Sequence, residues 1–153
     1  MKFRRLSQEE LSHLEKEFIE FLVSNTITAD DWVSIKKNKP DETNRLIDLF
    51  SDIVLEKVYS KMVLLEKREK NNLLFFKFKD NMIETIGVTS KNDRVDFNLP
   101  ESFDESVFSG LEGFRQTRIY QESEKSKEVF QLVQAGCVIG NAELYKTLEG
   151  IIK

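Results

Sequence analysis

Nucleophilic catalysis needs a base beside the nucleophile, and the chain holds one histidine, His13. It is expected on a first helix, with Glu9 and Glu17 four residues away on either side. A His–carboxylate metal site would use that spacing, but it would still need two or three ligands from elsewhere. The residues favour a surface histidine in an acidic helical row. The one cysteine, Cys137, follows a helix end and precedes Val138 and Ile139. A reactive thiol wants an electropositive, partly exposed setting, so these neighbours predict a small buried residue. Asp30 and Asp31 are adjacent carboxylates, yet neighbours on a helix point about 100° apart and do not converge. Their place just after Thr28 already suits a helix cap and its dipole. Ser109-Gly-Leu-Glu-Gly113 lacks the glycine spacing and lysine of a phosphate loop and carries Glu112 where an anion would approach. No catalytic, metal or cofactor residue is assigned, and no cofactor is implied. The missing convergent set argues against an enzyme, although sites assemble in space.

Binding chemistry has better candidates. Short basic clusters occur at Lys2, Arg4 and Arg5, at Lys36, Lys37 and Lys39, at Lys67, Arg68 and Lys70, and at Arg115 with Arg118 near Tyr120. Merged into one patch, they would suit RNA or a ribosomal surface; singly, each is too short to be diagnostic. Residues 93–112 hold six acidic side chains and one arginine. Phe103, Val107 and Phe108 interleave there with Asp104 and Glu105, as in a segment that docks on a partner. Phe103, Asp104, Glu105, Arg115 and Arg118 are the candidate partner contacts.

The balance of the chain narrows the partner class. The net charge is −4. Residues 1–70 carry 13 basic and 14 acidic side chains and the remainder 10 and 13. Neither half is basic, so no global field draws the protein to nucleic acid or an anionic membrane. One cysteine excludes an intramolecular disulfide. No apolar run approaches the ~18–20 residues of a membrane span, and the N-terminus lacks an apolar leader. These features place the chain in the cytosol as an expectation. At 153 residues it fits a single domain over 1–153, and 12 phenylalanines supply a core.

Helices must position the N-terminal half. Ser7 and Glu10 form a capping box ahead of Leu11, Leu14, Phe18, Phe21 and Leu22, predicting one helix to about Ser24. Thr28 caps a second, holding Trp32 and Ile35, which Pro40 stops. Leu46 through Leu65 keep a helical stripe, predicting a third helix to about Lys67. The period then falls to two. Residues 74–79 and 82–88 form a hairpin about Asp80-Asn81, with Lys77 opposite Glu84 and Phe78 opposite Ile83. Val95, Phe97 and Leu99 alternate as a third strand. Residues 101–120 read weakly as a short helix. Helices over about 122–135 and from Asn141 complete the chain as a helix pair.

The stretches Met1-Lys-Phe-Arg-Arg-Leu6, Glu17-Phe-Ile-Glu-Phe-Leu22 with Ile27-Thr-Ala-Asp-Asp-Trp32, and Leu49-Phe-Ser-Asp52 resemble an uncharacterised family of small bacterial proteins. The resemblance covers mainly residues 1–66 and, more loosely, 128–145. It implies a bacterial cytosolic setting and carries over no functional residue. The expected fold is α+β, with N-terminal helices and a C-terminal helix pair packed on a three-stranded antiparallel meander. The expected function is a non-enzymatic protein-interaction or regulatory module whose partner is another protein. An RNA- or ribosome-associated factor and a small-molecule or enzymatic pocket between sheet and helices are the alternatives.

Overall fold

The computed structural model describes residues 1–99 and 110–152, in two compact units, Met1–Val58 and Tyr59–Lys153. The first unit is helical: α1 (Gln8–His13), α2 (Glu15–Ser24), α3 (Ala29–Asn38) and α4 (Pro40–Ser60), whose last two residues belong to the second unit. Ser7 Oγ accepts from the Glu10 amide and Glu10 accepts from the Ser7 amide, closing the predicted capping box. Arg4 beside Glu10, with the Ser7 amide, pushes that carboxyl down to about 2. Thr28 and Asp31 make a second reciprocal box, which accounts for one of the paired aspartates as a cap. The expected first helix is two, because the chain leaves helical geometry at Leu14 (φ −111°, ψ 24°).

The leading residues are held by side chains of α4. Asp52 accepts from the Lys2 and Phe3 amides at 2.7 and 2.9 Å. The fully buried Ser51 accepts from the Leu6 amide and donates to the Ile47 carbonyl. Arg5 reaches Asp48 at 2.6 Å. An extended segment on a helix has no ladder of its own, so such side-chain acceptors satisfy its amides. Phe18, Phe21, Phe50 and Trp32 meet at centroid distances of 5.0–6.0 Å and form the unit's aromatic centre. The stretches 1–6, 17–22, 27–32 and 49–52 singled out in the sequence therefore build this scaffold.

The second unit is a five-stranded antiparallel sheet, not a three-stranded meander. Its strands are β1 (Leu64–Arg68), β2 (Asn72–Lys79), β3 (Met82–Thr89), β4 (Glu112–Ile119) and β5 (Val138–Ile139), in the order β4-β3-β2-β1-β5. The β2–β3 hairpin has the predicted register: Lys79 pairs with Met82, Phe78 with Ile83 and Lys77 with Glu84. Asp80 takes a positive φ of 45° at the turn, a conformation that aspartate tolerates better than most residues.

Three expectations fail for identifiable reasons. Helix α4 stops at Ser60, and Leu65, expected on its stripe, is instead fully buried in β1 opposite Phe76. One leucine satisfies either period, and the open edge of β2 decides for the strand. Residues 95–99 form turns: Ser90 Oγ, Asn92 Oδ1 and Asp96 Oδ1 each accept from the amide two residues on, competing with a ladder. Val95 and Phe97 are buried in the core nonetheless. The expected helix over 101–120 is a strand from Glu112, and residues 100–109 lie outside the described residues.

α5 (Lys125–Gln134) and α6 (Ala142–Ile151) do not form a hairpin pair. Paired register puts Leu73, Phe75, Ile86 and Val88 on one sheet face, where Tyr145, Leu148 and Ile152 cover them together with Val95 and Phe97. Phe78 and Arg118 point to the opposite face, and there Lys125 lies 5.8 Å over the Phe78 ring while Glu128 binds Arg118. β5 explains the separation. Its two residues pair with β1 at the sheet's edge, so the chain crosses from one face to the other between the helices.

Candidate interaction surface

The candidate contacts Arg115 and Arg118 lie on β4, three residues apart. A strand alternates its side chains, so the two arginines emerge on opposite faces and do not form one patch. Arg115 donates to the carbonyls of Glu149 and Ile152 at the end of α6. Arg118 makes a two-pronged contact with Glu128 at 2.9 and 3.2 Å. Phe103, Asp104 and Glu105 lie outside the described residues.

β4 is an edge strand, paired with β3 along all eight of its residues. The Tyr120 amide donates to the Asn81 carbonyl just beyond its end. Antiparallel ladders alternate, so the backbones of Phe114, Gln116 and Arg118 also face β3, and those of Gly113, Arg115, Thr117 and Ile119 face outward. Among the described residues no strand pairs with that outer edge. Every β4 residue is exposed, Phe114 at 45% and Ile119 at 77%. Phe114 lies across Gly87, its cross-strand partner, where a Cβ would come within 2.2 Å of the ring. A glycine there gives the ring its place.

Behind β4 sits a polar cluster that sequence reasoning missed. Glu84, only 6% exposed, accepts from the Tyr145 hydroxyl at 2.7 Å, with Lys79 at 3.5 Å and Arg115 at 4.0 Å. The Tyr145 bond, helped by Lys79 and Arg115, holds the Glu84 carboxyl below its ordinary range. Burial, and then Glu84 itself, pushes the Tyr145 hydroxyl up. Lys77, expected to answer Glu84, instead lies 4.9 Å over the Tyr145 ring. Register alone brings Lys77 beside Glu84; only recognition of 112–119 as a strand and of α6 as its cover would have found Arg115 and Tyr145. The cluster ties β4 and α6 to the sheet centre and so fixes the edge.

The other sequence candidates lie outside β4. His13 ends α1 on the surface. Cys137 is buried, and burial pushes its thiol up, as its apolar neighbours predict. Lys2, Arg4 and Arg5 each engage a carboxylate, as do Lys67 and Arg68. An open hollow of about 540 Å³ is lined by Glu66, Arg68, Asn98 and the 138–141 segment. Its acid, Glu66, already accepts from Arg68 and from the Asn141 amide. Among the described residues no three His, Cys, Asp or Glu side chains gather to hold a metal, and no helix is long and apolar enough to cross a membrane.

No curated protein and no solved structure matches the chain. The sequence resemblance, centred on residues 1–66, proves to extend much further. Over its whole length, residues 1–153, the chain belongs to a family of unknown function, DUF6495.

Proposed function

We propose that this chain is a non-enzymatic protein-interaction module that recruits an extended segment of another protein chain along the outer edge of β4. The observation that carries the reading is the edge itself: eight consecutive exposed residues with a one-sided ladder among the described residues. A row of outward amides and carbonyls is a template for a further strand. Natural sheets blunt such edges with proline, bulges, short strands or charged side chains; the charges of β4 include Arg115 and Arg118, which are drawn to Glu84 and the end of α6 and to Glu128. β4 is full length and has neither proline nor any interruption of its register. The acidic balance suits a protein partner better than a polyanion, and the sequence resemblance over mainly residues 1–66 supports a bacterial cytosolic setting for this role.

Thr117→Pro tests the reading. Thr117 turns its amide outward, so proline there leaves the β3–β4 ladder intact and removes one donor from the open edge. Partners captured by the wild-type chain are expected to be lost from Thr117→Pro bait at equal loading. Retention of every partner would show that the edge is not the dock.

A further inference from the structure

We infer that the strand which adds to β4 is β4 of a second copy, giving a continuous ten-stranded sheet across a two-fold axis. The inference rests on the edge-docking reading and names its occupant. Two antiparallel copies of one strand must pair outward-facing residues with outward-facing residues, so the axis passes through a residue. With the axis at Gln116, Gln116 faces the partner's Gln116, Arg115 faces the partner's Thr117, and Gly113 faces the partner's Ile119. Phe114 then faces the partner's Arg118, and Glu112 the partner's Tyr120.

This register complements itself. No like charges oppose one another, and each guanidinium at position 118 comes within reach of a phenyl ring, a favourable cation–aromatic pairing. Ile119, the most exposed large apolar side chain of the described residues at 77%, is set against a glycine whose near neighbour is Ile152. Its apolar surface thus gains cover. An axis at Arg115 would set two guanidinium groups face to face, which costs stability. An axis at Thr117 would set Arg115 against the partner's Ile119 and move Gly113 out of the strand pairing.

One strand pair is a small interface, so the dimer is expected to depend on concentration. Sedimentation of the wild-type chain across a concentration series should show monomer and dimer in exchange. Thr117→Pro, which removes an outward amide from each copy, should weaken the dimer by about tenfold or more. Gln116→Cys provides a reading that does not depend on the proline variant folding. Across the axis the two thiols would face each other at a close, non-hydrogen-bonded pair. Air oxidation should therefore yield a disulfide-linked dimer, while the wild-type chain, whose Cys137 is buried, yields none. A wild-type chain that stays monomeric to about 1 mM, or a Gln116→Cys chain that fails to cross-link, overturns the self-pairing. A dimer unaffected by Thr117→Pro also overturns it. These outcomes leave the edge-docking reading standing if Thr117→Pro still loses captured partners. Retention of those partners overturns that reading.

Discussion

Replacing Phe75 by alanine is expected to lower stability by about 3–5 kcal/mol, the range for emptying a buried aromatic site. Phe75 is fully buried on the sheet face beneath α6, opposite Ile86. The Tyr145 ring meets it edge-on at 5.7 Å and 71°. Leu73 and Val88, fixed by strand register, share the same core with Leu148 of α6 and Phe97, so collapse around the vacancy would be incomplete. Urea unfolding followed by far-UV circular dichroism measures the loss. Phe76→Ala is the control, since Phe76 is only half-buried and lies on the other face. A Phe75→Ala cost below about 1 kcal/mol would contradict the core assigned here.

Glu84 and Tyr145 are expected to be coupled by about 1–3 kcal/mol, the range for a buried hydrogen bond to a charged acceptor. A double-mutant cycle of Glu84→Gln and Tyr145→Phe isolates that energy. The pH dependence follows from the two directions. The folded Glu84 carboxyl is depressed, so its contribution is complete above the ordinary value of 4.5 and fades as pH falls through the folded value. The folded Tyr145 hydroxyl is raised, so its contribution is complete below the ordinary value of 10.0 and fades as pH rises through the folded value. Stability should therefore decline on both sides of that window. Glu84→Gln should make the acid limb shallower, leaving the share of other depressed carboxylates such as Glu10, and Tyr145→Phe should do the same to the alkaline limb. Wild-type limbs in either variant would show that the pair carries no linkage.

What was legible in the sequence follows the strength of local signals. The Ser7–Glu10 capping box, the Thr28 cap and the Asn141 cap on the Leu144 amide are spelled by side chains within three residues of one another. The β2–β3 register is equally local, because a two-residue turn fixes which residues oppose. β4 and β5 depend on partners distant in the chain, whereas β1 joins its neighbour β2 through a short turn and was hidden because Leu65 also fits the helical stripe of α4. β4 was hidden for a further reason: all eight of its residues are exposed, so no alternation of apolar and polar types marks it. That lack of pattern is also what makes it a candidate surface. The loop at 90–99 misled in the opposite sense, since Val95 and Phe97 are core residues at strand spacing while asparagine, serine and aspartate side chains turn the backbone between them. Arg115 was legible as a candidate, but its partners Glu84 and the α6 carbonyls became apparent only from the register.

The β4 backbone is paired with β3 on one side and, among the described residues, meets no strand on the other. Residue-resolved amide hydrogen exchange on dilute protein tests it most directly. Phe114, Gln116 and Arg118 are expected to exchange slowly and Arg115, Thr117 and Ile119 fast. The fast set should slow as concentration rises or a captured partner is added. Uniform protection along β4 in dilute protein, or fast exchange at Arg115, Thr117 and Ile119 that no concentration or partner changes, would contradict the account.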